Sequence, residues 1–113
     1  MEIPSKIQEE FILIRAAFEN GSITRMSQLE KQKPTRIAEL AGINHGRYAA
    51  KLFEPWDFSP SEITRIALII NVDSGLIMKV IADQLRKQEI ERILENLRKI
   101  EDRKANKRTR NNI

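Results

Sequence analysis

The stretch 35–52, T-R-I-A-E-L-A-G-I-N-H-G-R-Y-A-A-K-L, constrains this chain more than any other. Thr35 is a good N-cap, and Ile37, Ala38, Leu40 and Ala41 follow it at helical spacing. Gly42 then ends the run, because glycine takes a positive φ without a Cβ penalty and so permits a sharp stop after a helix. Ile43 is apolar at the corner, where it can plug the gap between two helices. Asn44 is a second N-cap, whose side chain can accept a backbone N–H two or three residues on. A second short helix is expected from His45 to about Leu52. Two short helices joined by a tight glycine-containing turn form a helix-turn-helix. In the second helix Tyr48 and Leu52 are four apart and share a face, with Ala49 on its flank. His45, Arg47, Ala50 and Lys51 fall elsewhere, and Gly46 lets a surface approach closely. One face is therefore apolar and packs back, while the other is small, polar and basic.

The flanking segments read as helices too. In 5–20, Ile7, Phe11, Ile14 and Phe18 step by 4, 3 and 4, the spacing of a helix seam, and Ile12 and Leu13 widen the apolar face. This predicts one amphipathic helix ended by Gly21, serving as a core helix or a dimer contact. A shorter helix is expected in 22–31, capped by Thr24 or by a Ser27/Glu30 capping box. After Leu52, Pro55 breaks the chain, and Phe53, Trp56 and Phe58 are expected to cover the base of the core. Trp56 alternatively stacks on a ligand or touches DNA. Ser59-Pro60-Ser61-Glu62 combines an N-cap, a proline at the first helical position and a glutamate at the third, a strong helix start. Ile63, Ile66, Ala67 and Ile70 form its buried side. Asp73 caps a further helix carrying Leu76, Ile77, Val80, Ile81 and Leu85. No stop signal follows Leu85, and Ile90, Ile93, Leu97 and Ile100 continue at 3-4-3 spacing, a short coiled-coil seam with Leu94 beside it, expected to hold a homodimer or else to pack along its own domain. No large apolar residue falls in 86–89, so the helix either changes face or kinks there. The expected organisation is a domain over 5–85, an amphipathic helix over 86–103, and a basic, disordered tail over 104–113.

The composition agrees with an all-α fold: four Gly and four Pro in 113 residues are few for a β-rich chain. With no cysteine, a disulfide framework, a thiol nucleophile and a Cys-ligated zinc site are excluded. No apolar run reaches the roughly 18 residues of a membrane span, and the N-terminus lacks a signal-peptide pattern, so a cytoplasmic protein is expected. His45 is the only histidine, the adjacent carboxylates Glu9–Glu10 and Glu101–Asp102 diverge on a helix, and there is no Gly-rich phosphate loop. Neither an enzyme nor a cofactor or metal site is expected. Charge is unevenly placed. Residues 1–85 hold 10 Lys/Arg against 11 Asp/Glu, a net of −1, and residues 86–113 hold 10 against 5, a net of +5, giving the chain's +4.

The stretch resembles the Cro/repressor-like (XRE-type) helix-turn-helix family. The matching features are Ile37-Ala38, Gly42-Ile43-Asn44, the apolar Tyr48 and the later helix 63–70, and the resemblance spans 33–81. It departs at Pro34, where the family usually has a polar residue, and at Lys51, where a core apolar residue is common. The resemblance implies a lambda-repressor-like bundle of five to six helices and a DNA-binding regulator acting as a homodimer on double-stranded DNA. On that reading the 44–52 helix enters the major groove. Arg47 and Lys51 donate to guanine acceptors or phosphates, and Asn44 or His45 reaches a base edge or a phosphate, with Gly46 and Ala50 admitting the DNA surface. Lys33, Thr35 and Arg36 sit at the N-terminus of the preceding helix, which suits a phosphate. Two other readings compete: an αα-corner with no nucleic-acid role, and a protein-interaction adaptor that docks through its C-terminal helix.

Overall fold

The computed structural model describes residues 2–111, and side chains through residue 107. Among the described residues there are six α-helices, two short 3-10 helices and no strand. The α-helices are α1 (Ser5–Glu9), α2 (Ile12–Glu19), α3 (Pro34–Ala41), α4 (His45–Phe53), α5 (Pro60–Ile70) and α6 (Ser74–Asn111). The 3-10 helices are Met26–Lys31, before α3, and Pro55–Asp57, after α4. No helix among the described residues is long and apolar enough to cross a membrane.

The core is one cluster running from Phe11 to Ile81, with Tyr48, Leu52, Ile37, Ile66 and Ile77 at its centre. Packing α3 against α4 and α5, and α5 against α6, encloses it. Ser59 and Glu62 form the expected capping box at the start of α5: the Glu62 N–H donates to Ser59 Oγ at 3.1 Å, and Ser59 N–H donates to Glu62 Oε1 at 2.8 Å. Asn71 closes α5 in the left-handed region, and Asp73 Oδ1 accepts the Gly75 N–H at 2.7 Å in the first turn of α6.

Several local expectations are corrected. The 5–20 segment is two helices, with a break at Glu10 and Phe11. Glu10's carbonyl accepts the Lys33 amine at 2.9 Å, and its carboxylate takes Arg36, so tertiary bonds hold the chain where a continuous helix would run. The break keeps Phe11, Ile14 and Phe18 in the core but leaves Ile12 and Leu13 exposed, Leu13 at 82%. The Ser27/Glu30 capping box does not form. Instead Gln28 Oε1 accepts the N–H groups of Thr24 (2.7 Å) and Arg25 (2.8 Å), and the segment winds as a 3-10 helix whose Met26 N–H donates to Gln84 of α6. Phe58 is buried and Trp56 half-buried, but Phe53 is exposed, so two aromatics rather than three close the base of the core. Leu40 is half-buried, at the edge of the cluster.

Beyond residue 85 the helix neither stops nor separates into a second element: α6 is continuous over 38 residues. At 1.5 Å per residue that is roughly 57 Å of rod. The molecule measures 75 × 28 × 24 Å, and its radius of gyration is 20.1 Å, against about 13 Å for a compact chain of this length. The last core residue on α6 is Ile81, and every residue over 90–107 is exposed. Helical backbone continues through 104–111, where composition pointed to a disordered tail; the last two residues of that tail lie outside the described residues.

Candidate nucleic-acid interface

The turn between α3 and α4 forms as its residue types require. Gly42 adopts φ 68°, and the Ile43 N–H donates to the Ala38 carbonyl at 2.9 Å across the corner. No atom lies within 4 Å of where a Cβ on Gly42 would stand, so its backbone angle and not crowding demands glycine. Ile43 is buried. Asn44 Oδ1 accepts the Arg47 N–H at 3.2 Å and caps α4. Below α4, Tyr48 and Leu52 are fully buried, and the Tyr48 ring meets Phe58 at a tilt of 59° with centroids 6.1 Å apart. The helix is therefore held on one side and open on the other.

Three of the nine singled-out residues bear changed surroundings at the start of α3. Thr35 is not its N-cap: Pro34 fills the first helical position, and Lys33 caps it from the left-handed region at φ 50°, with no side-chain cap bond. A residue before proline is disfavoured in the right-handed helical region. The Thr35 hydroxyl instead lies 3.2 Å from His45 Nε2, joining the starts of α3 and α4. The Lys33 amine donates to the Glu10 carbonyl and sits 5.8 Å over the Phe11 ring. Arg36 donates to both Glu10 carboxylate oxygens, Nε at 3.3 Å and Nη2 at 3.1 Å. That bond and the Glu10 charge raise the Arg36 pKa further.

Lys51, the other departure from the family pattern, is half-buried. Its amine donates to both Glu62 oxygens at 2.8 and 3.0 Å and lies 6.0 Å over the Phe58 ring. The aliphatic stem can thus follow the apolar face while the charge finds a partner. The Lys51 hydrogen bond, then the Ser59 N–H, hold the Glu62 carboxyl below its ordinary range.

What remains outward on α4 is His45, Gly46, Arg47 and Ala50, all exposed. The Arg47 guanidinium has no hydrogen bond or ion pair among the described residues. The structure thus brings Thr35, Asn44, His45 and Arg47 to one edge, while Lys33, Arg36 and Lys51 are drawn to carboxylates or carbonyls of the body. Three contributors escaped the sequence reading. Glu10 stood only as one of two diverging carboxylates, and Glu62 only as a cap. Arg65 Nε donates to the Ala41 carbonyl at 2.7 Å, closing the C-terminus of α3 at the turn. A cation suits a helix C-terminus, but the 24-residue separation hid this one.

Compared with known protein families, curated proteins and solved structures, the chain matches none. The resemblance to the XRE-type family rests on the residues of 33–81 themselves.

Proposed function

We propose that this protein is a sequence-specific DNA-binding transcriptional regulator of the lambda-repressor-like type, reading the major groove with α4. The observation that carries the reading is the outward face of α4: a guanidinium free of internal partners, flanked by Gly46 and Ala50, on a helix locked from below by Tyr48 and Leu52. Small neighbours let the groove edge approach, and a free guanidinium can donate two bonds to guanine O6 and N7. His45 and Asn44 lie at the N-terminal end of α4, the end that usually meets base edges. Thr35 and the unpaired first-turn N–H groups of α3 suit a phosphate, with Lys33 and Arg36 adding charge if they exchange Glu10 for DNA. A homodimer acting in the cytoplasm on a two-half-site operator completes the reading.

Selection from a random duplex pool tests it and returns the site. Enrichment of a defined motif, with affinity falling steeply as salt rises, supports the proposal. No duplex binding at low salt refutes it.

One observation favours a second reading, the protein-interaction adaptor. Three of the four cations near the turn, Lys33, Arg36 and Lys51, are already engaged within the body, and two of them face carboxylates. The two readings part on the same measurement.

A further inference from the structure

The exposed side of α6 beyond the body is apolar in a pattern that solvation alone does not explain. Ile90, Ile93, Leu94, Leu97 and Ile100 are exposed at 45%, 64%, 53%, 48% and 40%. They form one face of a helix with nothing packed on it. Taking about 200 Å² for a fully exposed Ile or Leu, the five present on the order of 500 Å², at the upper end for the largest patch on a monomer.

We infer that this face is covered by the same face of a second copy, running antiparallel, with the two-fold axis at Glu95. The seam is its own complement in that direction. Ile90 falls opposite the partner's Ile100, and Ile93 opposite the partner's Leu97, so that every apolar layer is filled from both sides. Antiparallel pairing also sets the residues flanking the seam against like positions of the other helix. Glu89 then faces the partner's Arg103, and Lys87 faces the partner's Glu101, giving four ion pairs by symmetry. At the axis, Leu94 meets the partner's Leu94 on one flank and Asn96 meets the partner's Asn96 on the other. Lys87, Glu101 and Arg103 have no ion pair among the described residues, and Glu89 has only a long one of 3.8 Å to Arg92. Where the seam ends, Arg86 would face the partner's Lys104, and one step further Asp83 faces the partner's Lys107.

Parallel pairing of the same face loses this complementarity. It sets Lys104 and Lys107 against their own copies, Glu89 against the partner's Leu94, and Asn96 against the partner's Glu101. It also brings two bodies together at one end of a rod pair whose axes lie about 10 Å apart, although the molecule is 28 × 24 Å across. The five apolar residues of both copies together supply on the order of 1,000 Å², about what a specific interface needs. The face also runs on into a groove of about 560 Å³, lined by Phe18, Ile23, Leu76, Val80 and Asp83 and ending at Ile90, which flanks the far end of the partner's helix. The inference is independent of DNA binding.

The chain has no cysteine, so introduced ones report geometry cleanly. Full-length chains carrying Glu89→Cys and Arg103→Cys are mixed and treated with a short bis-maleimide, because flanking positions lie beyond the reach of a disulfide. The expected product is a crosslink between the two different chains, with neither variant linking to itself. Linkage of Glu89→Cys to itself instead overturns the antiparallel register. A dimer that forms no linkage puts the interface elsewhere and overturns it equally. Sedimentation of the unmodified protein should show a dimer, and a monomer at tens of micromolar refutes the inference. Glu89→Arg should weaken dimerisation about tenfold, and adding Arg103→Glu should restore it, because like charges are removed from both pairs. Failure of the second change to rescue the first counts against the pairing, whether or not the protein binds DNA.

Discussion

Tyr48 is fully buried beneath α4, and its hydroxyl has no hydrogen-bond partner among the described residues. Removing that oxygen should therefore stabilise the protein. An unsatisfied buried donor costs about 1–3 kcal/mol of desolvation, whereas an oxygen-sized void costs a fraction of a lost methylene. Tyr48→Phe keeps the ring and its tilted contact with Phe58, so the net gain should be roughly 0.5–2 kcal/mol. For a domain of this size that corresponds to a rise in Tm of about 2–10 °C. Urea unfolding followed by circular dichroism measures it, with an unchanged slope showing that the unfolded state is not the cause. A loss of stability above about 0.5 kcal/mol would show that the hydroxyl has a bonding partner and refute the reasoning.

The same substitution has a pH signature. Burial pushes the phenol above its ordinary value of 10. The folded state thus holds this proton more tightly than the unfolded state does. That contribution is intact below pH 10 and is lost as pH rises from there toward the folded value. The comparison is made against the variant, so that every other group cancels. The gap between Tyr48→Phe and the natural protein should widen above pH 10 and stay constant below pH 9.

Arg47→Ala should weaken specific DNA binding by about 1–3 kcal/mol and relax preference at one base position, whereas Lys33→Ala should weaken all sequences about equally. Binding isotherms on the selected site and its single-base variants separate them, and identical behaviour would show that the assigned roles are wrong. Glu10→Gln should release Arg36, raising affinity for random duplex and steepening its salt dependence by about one unit of slope; no change would place Arg36 away from the backbone of the DNA. Leu40→Ala, at a half-buried site, should cost about 1–2 kcal/mol, and Ile37→Ala, fully buried one turn earlier, about 2–5 kcal/mol. Equal losses in chemical unfolding would contradict the difference in burial.

The features legible in the sequence were those with local causes. Gly42 and Asn44 define a corner because backbone angle and cap chemistry are properties of single residues. Ser59, Pro60 and Glu62 start α5 because all three act within one turn. Of the 4-3-4 seam, Phe11, Ile14 and Phe18 reached the core although the helix expected to carry it breaks, because the break at Glu10 turns the chain without moving those residues off the body. The break itself depends on Lys33 and Arg36, 23 and 26 residues away. The 3-10 winding of Met26–Lys31 likewise depends on Gln84, 58 residues on. For the candidate site, the exposed face of α4 was readable from spacing, but its electrostatics were not. Whether a lysine is free or bound is decided by carboxylates brought in from other helices, and Glu62 reaches Lys51 only because the turn through Pro55–Asp57 returns the start of α5 to the end of α4.

Those pairings divide the charge of the molecule in a way that bears on DNA binding. The body carries a net of −1, and Arg47 alone on α4 is free of internal partners, while residues 104–113 hold Lys104, Lys107, Arg108 and Arg110 with no acidic residue. Attraction to phosphate follows net local charge, whereas discrimination between bases follows donors held at fixed positions. The two should therefore reside in different parts of the chain. Removing 104–113 deletes four positive charges but neither the apolar seam of 90–100 nor any part of α4. Affinity should fall mainly at low salt, with the salt slope reduced by up to about three or four units if every cation meets a phosphate. The order of preference among operator variants should stay the same, and so should assembly. A truncated protein with an unchanged slope but altered base preference would show that α4 is not the reading element and that the C-terminal segment is.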